Sequence, residues 1–419
     1  MNNMKFFIET IGCQMNVNDS DKISDYLIDH GCVKTADMSK ADIVILNTCS
    51  VRFSAEHKAY SFLGRIKEQK NIHPALIVGV VGCMAQHAYK EIHRRCKFVD
   101  FILGAKDIDK FSQVISKYVP LKYVHKEKTP KEVFQYVTIM KGCSNFCSYC
   151  IVPFVRGPEI SINCSELCDL VKKTVDTGVK EIILLGQNVN SYNDDGITFA
   201  KLLRRISKID NLKRIRFLTN HPKDFSEELI DEIANNDKIC RHIHLPMQSG
   251  SDKILKAMNR KYTYGQYKSL FEKIKSKIPE INITSDIIIG FPGETDKDFD
   301  DTFNASRDLK FGGLFIFKYS PRPNTSAYKL KDNVSLSIKK QRHTLLLEDS
   351  NEISKALNLR YSGTTVDVLV EKYAGGFCEG RNSQNLKVFF SSENDYTGEI
   401  VKVSVTRILP NSLSGNIVL

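Results

Sequence analysis

Between Phe134 and Ser320 the chain repeats one pattern six times: an apolar, β-branched run followed by a helix-like stretch. The runs are "FQYVTIMKG", "KEIILLGQ", "RIRFLTN", "RHIHLPMQ", "NITSDIIIG" and "LFIFKYS". Strands separated by helices pair in parallel, because a parallel neighbour needs a crossover long enough to return to the same end of the sheet. Six such units predict an incomplete version of the eight-fold parallel barrel. Functional side chains of these barrels gather at the C-terminal ends of the strands, and there this sequence turns polar or punctuated. "GQNVN" follows the second strand, "TNHP" the third, "PMQSGS" the fourth, "GFPGET" the fifth and "YSPRP" the sixth. Any one of these can be plain turn punctuation. Together they line one mouth.

Three cysteines, Cys143, Cys147 and Cys150, follow the first strand in "IMKGCSNFCSYCIVPFVRGPE". A structural zinc site takes four protein ligands, and a catalytic one usually includes histidine or carboxylate. Three thiolates suit three irons of a four-iron, four-sulfur cluster and leave the fourth iron open. A zinc knuckle or three unrelated core thiols are the alternatives.

The first part of the chain also alternates: "KFFIETIGC", a helix from about Asp19, "ADIVILNTC", a helix from about Ser54, and "ALIVGVVGC". This predicts an open parallel sheet whose strands end just before Cys13, Cys49 and Cys83. Strand ends of one parallel sheet share an edge, so three cysteines more than thirty residues apart can meet there. Three semi-buried core thiols are the alternative. Cys32 and Cys96 do not follow strands and read as ordinary thiols. Cys164, Cys168, Cys240 and Cys378 read as structural. His221 and His244 sit beside strand ends and read as hydrogen-bonded structural residues rather than bases.

The expected fold class is therefore α/β in three parts: an N-terminal open parallel α/β domain over residues 1–118, a central partial (β/α)6 barrel over 129–356, and a terminal segment over 357–419. A basic, proline-interrupted linker, "KYVPLKYVHKEKTPKE", separates the first two. In the terminal segment "TTVDVLVEK", "LKVFFSS", "GEIVKVSVTRIL" and "SGNIVL" alternate at period two, which predicts a small antiparallel β-barrel. Such barrels bind oligonucleotides or serve as structural caps.

Composition narrows the setting. The longest apolar run, Ala75–Ala85, is far short of the roughly 20 residues of a membrane helix. No signal-peptide pattern opens the chain, so a cytoplasmic, non-membrane protein is expected. Twelve cysteines in such a chain point to metal or catalysis rather than to disulfides. The net charge of +11 suits an anionic partner such as nucleic acid, with a solvated basic surface as the plain alternative. That charge is not on the terminal segment, where six Lys and Arg balance six Asp and Glu.

Three cysteines after the first strand of a six-unit barrel resemble the radical S-adenosylmethionine superfamily. "IGCQMNVNDS", "ADIVILNTCSVR", "VVGCMAQ", "MKGCSNFCSYCIVPFVRGPEIS", "LLGQNVNSY", "HLPMQSGSDKILKAMNRKYT" and "SDIIIGFPGET" follow one another along the chain. In that order they are similar to the methylthiotransferases of the superfamily, over essentially the whole chain. The resemblance implies two [4Fe-4S] clusters, one on Cys13, Cys49 and Cys83 and one on Cys143, Cys147 and Cys150, with S-adenosyl-L-methionine on the open iron of the second. It places Tyr149 near the adenine and Gly186, Gln187, Asn188, Thr219, Gln248, Ser285 and Asp286 around the S-adenosylmethionine. It makes the terminal barrel an RNA-binding TRAM domain.

"GCQMN" and "NTCSVR" resemble the branch that adds a methylthio group to C2 of N6-isopentenyladenosine beside the anticodon (position 37) of tRNA. Sister branches act on N6-threonylcarbamoyladenosine in tRNA or on an aspartate of a ribosomal protein. From another class, a non-catalytic metal-containing RNA-binding protein would explain the cysteines and the charge, but not six strand-end motifs. The implied partners are a tRNA anticodon stem-loop, a reducing electron donor such as a flavodoxin, and a sulfur donor, and the chain is expected to be a monomer.

Overall fold

The computed structural model describes residues 4–50, 53–119, 123 and 132–418. The expected basic linker falls largely outside the described residues, as do Val51 and Arg52 of "NTCSVR". The chain forms two compact units. One comprises Met1–Lys128, Lys141–Ser144 and Cys150–Glu159; the other comprises Thr129–Met140, Asn145–Tyr149 and Ile160–Leu419.

The first unit is built on a five-stranded, all-parallel sheet. Its strands run in the order Val33–Lys34, Lys5–Ile11, Ile43–Thr48, Ile77–Gly82 and Phe101–Gly104. The three expected strands are the inner ones. The two edges, of two and four residues, were too short to show as apolar runs. Every residue of Ile43–Thr48 is buried, because both faces of the sheet are covered. Val44 and Leu46 pack with Ala59, Phe62, Leu63 and Ile66 on one side; Ile43 and Ile45 pack with Ile23, Leu27 and Phe111 on the other.

The first helix spans Gln14–Asp29 and so starts directly after Cys13, five residues before the sequence suggests. Asn16 explains the early start. Its side-chain oxygen accepts from the Cys13 backbone N–H, closing a capping box where no apolar periodicity announces a helix.

In the second unit all six expected strands are present: Phe134–Thr138, Glu181–Leu185, Arg214–Phe217, His242–His244, Asn282–Ile289 and Gly313–Lys318. They pair in parallel in sequence order, as two three-stranded sheets joined through the bridge Ile215–Ile239. Period-two alternation sorts their side chains. Ile182, Leu184, Ile215, Phe217, Ile243, Ile283 and Ile287 meet the helices in the main core, where they join Leu167, Val171, Leu203, Ile233 and Phe271. The opposite, inner face carries Glu181, Arg214, Arg216, His242, His244, Thr284, Asp286 and Phe315, and is polar throughout most of its length.

The terminal segment is a closed five-stranded barrel in the order Thr365–Ala374, Phe377–Arg381, Lys387–Ser391, Ser412–Val418 and Ile400–Leu409. Two features differ from the expectation. Phe377–Arg381 ("FCEGR") is a strand that its glycine and glutamate hid, and Lys387–Ser391 pairs with Ser412–Val418 in parallel. The loop at Asn382–Gln384 caps the N-terminal ends of the larger barrel's strands. Arg214 donates to the Arg381 and Asp367 carbonyls at 2.7 and 3.0 Å, Arg216 to the Asn382 carbonyl at 3.3 Å, and Asn282 to the Gln384 carbonyl at 2.9 Å. Arg216 also pairs with Glu181 at 2.7 Å, both side chains being almost fully buried. The terminal barrel thus supplies the acceptors that buried guanidinium groups need. Among the described residues no helix is long and apolar enough to cross a membrane.

Candidate functional site

Cys13, Cys49 and Cys83 each stand within two residues of the end of an inner strand of the first sheet. Two buried amides tie these strand ends together. Asn16 donates to Asn47 Oδ1 at 2.9 Å and to the Thr48 carbonyl at 3.3 Å; Asn47 donates back to the Asn16 carbonyl at 2.8 Å and to Ser20 Oγ at 3.0 Å. Asn16 Oδ1 also accepts from the Cys13 thiol at 3.3 Å. Gly82 completes the fit. Its φ of +96° and the closeness of Asn47 Oδ1, 2.4 Å from where a Cβ would stand, leave no room for another residue.

The thiols are not equivalent. A hydrogen bond from Cys49, then Asn16 and the charge of Arg156, bring Cys13 down to about 6 against the cost of burial. Burial pushes the Cys83 thiol up, with the Arg156 guanidinium opposing that rise. Arg156 itself is held by Asp19 at 2.9 Å, both side chains nearly inaccessible.

The segment with the other three cysteines is divided between the units. Cys143 belongs to the first unit, where its N–H donates to the Gly157 carbonyl at 3.1 Å. Gly142 allows this, since with φ of +75° a Cβ there would lie 1.9 Å from the Pro158 carbonyl oxygen. Cys150 is also in the first unit, and the short helix after it, Val152–Arg156, packs Ile151 and Val155 against Cys83 and Ala105. Cys147 and Tyr149 belong to the second unit. Arg260, fully buried, donates to Cys147 Sγ at 3.2 Å, to the Tyr149 hydroxyl at 3.4 Å and to the Tyr262 hydroxyl at 2.9 Å.

The loops after the barrel strands bring together most of the expected ligand-binding residues, and these are short of partners. Among the described residues, Gln187 Oε1, Asn188 Oδ1 and Gln248 Oε1 are buried with no hydrogen-bond partner, as are Asn220 Oδ1 and His221 Nε2. Five unsatisfied polar atoms on three successive strand-end loops are costly unless a ligand meets them. Thr219 and Gln248 also hold left-handed backbone, at φ of +69° and +71°. That conformation is strained for a β-branched threonine and concentrates at binding sites. Asp286 faces the inner side of its strand, 3.3 Å from His244 Nε2. Gly186 contributes closeness, because a Cβ there would run into Met140 at 2.5 Å.

Ser285 lies apart. Period-two alternation turns it away from Asp286, and its fully buried hydroxyl accepts from the Met247 N–H at 2.8 Å. His221 is buried and brought down to about 2 by burial, Arg260 and Lys223, so it is a neutral imidazole. His244 Nδ1 contacts Thr284 Oγ1 at 3.0 Å.

Asn16, Asn47, Asp19, Arg156, Asn220 and Arg260 escaped the sequence reading. Their only signal was position beside a cysteine or inside a strand-end motif. The other cysteines sit as expected: Cys32, Cys96, Cys164, Cys240 and Cys378 are buried, and Cys168 packs at the edge of the main core. Among the described residues no three Cys, His, Asp or Glu side chains are gathered to hold a single metal ion. What fits iron–sulfur clusters is the chemistry of the expected donors, which are all thiols with no histidine or carboxylate among them. What fits S-adenosylmethionine is the set of orphaned amide oxygens, which can meet its amino and nucleoside groups.

Three family models match the chain. Residues 5–104 match the Uncharacterized protein family UPF0004, residues 137–305 the Radical SAM superfamily, and residues 359–418 the TRAM domain. In fold, the chain is similar to a radical S-adenosylmethionine methyltransferase from Kitasatospora setae, solved with cobalamin and a [4Fe-4S] cluster. The TM-score is 0.56 at 13% identity, over 90% of this chain and 81% of that one. In sequence, it is 47% identical over 99% of its length to all of the tRNA-2-methylthio-N(6)-dimethylallyladenosine synthase of Endomicrobium trichonymphae. It is 42% identical over 99% of its length to 98% of the enzyme of the same name from Geobacter sulfurreducens. Full-length identity of this order, with the family models matched along the chain, makes it a member of the tRNA-2-methylthio-N(6)-dimethylallyladenosine synthase family of radical S-adenosylmethionine enzymes.

Proposed function

We propose that this enzyme adds a methylthio group to C2 of N6-isopentenyladenosine, also called N6-dimethylallyladenosine, beside the anticodon of tRNA. The observation that carries the reading is the pairing of two separate three-thiol sets in a chain that aligns end to end with relatives of that name. Cys143, Cys147 and Cys150 would hold the cluster that binds S-adenosylmethionine, and Cys13, Cys49 and Cys83 the one that presents sulfur. When bound, these groups supply reductive cleavage of S-adenosylmethionine to a 5′-deoxyadenosyl radical and a methylated sulfur for transfer.

The protein's own residues do the rest. Gln187, Asn188, Asn220 and Gln248 offer buried oxygens to the amino and nucleoside ends of S-adenosylmethionine, and Gly186 lets the second loop close onto Met140. C2 of adenine is an unactivated carbon that no side-chain base deprotonates usefully, so the site needs no catalytic acid or base, and neutral His221 is consistent with that. Asn16 and Asn47 hold the loops of Cys13 and Cys49 in register. A base in an anticodon loop is already open to extrusion, which lowers the cost of bringing it to the barrel mouth.

In this reading the chain has three functional parts, 1–118, 129–356 and 357–419, with the last contacting tRNA. It works as a monomer in the cytoplasm, with electrons from a donor such as a flavodoxin and sulfur from a separate donor. Anaerobic reconstitution should load about eight irons per chain, since each three-thiolate set holds a four-iron cluster. The reconstituted enzyme, given S-adenosylmethionine, reductant and isopentenylated tRNA, should form 2-methylthio nucleoside by mass spectrometry. A plateau near four irons, or methylthiolation of threonylcarbamoylated tRNA alone, sinks the reading.

A further inference from the structure

Arg156 lies six residues beyond Cys150, yet it is buried in the first unit, where Asp19 orients it at 2.9 Å. The helix that carries it is fixed there: Ile151 and Val155 pack against Cys83, and Gly157, at φ of +84°, ends the helix with its N–H on the Pro153 carbonyl at 3.1 Å. Arg156 thus sits beside Cys83 and near Cys13, and its positive charge favours the thiolate of each. Like other guanidinium groups in proteins, it keeps its charge when buried. Lys22 is also near Asp19 and Arg156, and Lys141, near Lys22, is paired with Asp109. Asp19 engages Arg156 through one nitrogen, Nη2, and that leaves further guanidinium N–H groups for sulfur.

Three thiolates around an iron–sulfur core leave a net negative charge in a buried site, and each added electron makes it more negative. A solvated lysine would be screened from that charge, whereas a buried, fixed guanidinium is not. Hydrogen bonds to ligand sulfurs and nearby charge set the reduction potential of such groups. We infer that Arg156, oriented by Asp19, is a positioning residue for the Cys13–Cys49–Cys83 set, where it donates to sulfur and raises the reduction potential of the cluster those thiolates hold. The inference rests on the two-cluster reading above.

The test uses the full-length Cys143→Ala/Cys147→Ala/Cys150→Ala variant, which keeps only the N-terminal thiols, with and without Arg156→Gln or Arg156→Lys. Iron content, melting temperature and the midpoint potential from an EPR-monitored titration are measured on each. Arg156→Gln should reduce the equilibrium constant for reduction by about tenfold, a fall of about 59 mV for one electron, and Arg156→Lys should recover most of it. Loss of iron in Arg156→Gln that Arg156→Lys restores supports the same role, since charge is what the two differ in. An unchanged potential with a lowered melting temperature would make Arg156 a structural pin and overturn the inference, as would equal iron loss in both variants. If the parent variant binds no iron, the two-cluster reading falls instead, and this inference with it.

Discussion

The two cysteine-bearing regions differ in how completely they satisfy their own polar groups. Around Cys13, Cys49 and Cys83 the amides of Asn16 and Asn47 bond each other and the strand ends, Asp19 holds Arg156, and among the described residues two nearby buried atoms, Ser50 Oγ and Gln86 Oε1, lack a partner. At the barrel mouth Gln187, Asn188, Asn220, His221 and Gln248 each leave a buried atom unmet. A closed shell suits a group that stays in place, and an open one suits a ligand that must enter and leave. The difference is what the proposed function asks for: a resident cluster that presents sulfur on one side and S-adenosylmethionine turnover on the other.

The largest effect should come from removing one thiolate on each side. Cys147→Ala should abolish both 5′-deoxyadenosine and methylthiolated nucleoside, because the iron that holds S-adenosylmethionine is lost or displaced. Cys49→Ala should still release 5′-deoxyadenosine but make no methylthio product. Normal methylthiolation by Cys49→Ala, followed by mass spectrometry, would break the comparison at its base.

Next in size is Asn47→Ala, which strips three hydrogen bonds from the closed shell. It should cost about 1–3 kcal/mol in urea unfolding and lower iron retention by the N-terminal set, while S-adenosylmethionine cleavage persists. Gln187→Met makes the contrasting change at the open mouth. It should weaken S-adenosylmethionine binding by about tenfold, roughly one hydrogen bond, with no loss of stability because no protein partner is given up. A stability loss matching that of Asn47→Ala would show that the mouth, too, is closed in the resting protein.

The last effect concerns pH. His221 is held neutral in the fold at about 2, whereas an unfolded histidine titrates near 6.5. Its folded value is depressed, so its contribution is complete above about pH 6.5 and declines as pH falls toward the folded value, by about 1.4 kcal/mol per unit. His221→Gln should flatten that part of the stability–pH curve between pH 6.5 and 5. An unchanged slope would mean that His221 is solvated, and the mouth more open than the burial of its side chain indicates.

The contrast between the regions also shows what could be read early. The six barrel strands, the three inner strands of the first sheet and the strand-end positions of all six cysteines follow from alternation and spacing along the chain. Phe377–Arg381 and the two short sheet edges did not, because a glycine-bearing or two-residue strand carries too few apolar positions to show a period. The helix after Cys13 was placed late for a related reason: its first turn is set by the Asn16 cap and not by apolar side chains.

Sequence by itself determined the backbone plan and the thiol inventory, since period and spacing are local and thiolate chemistry belongs to the residue type. Only tertiary structure decided which polar groups serve those thiols. Asn16 and Asn47 are 31 residues apart, Asp19 and Arg156 are 137 apart, and Arg214 finds its carbonyl acceptor 167 residues on. Nothing in a linear pattern links such pairs. They meet because parallel strands bring distant ends to one edge and because burial leaves each polar group no alternative to the partner the fold supplies.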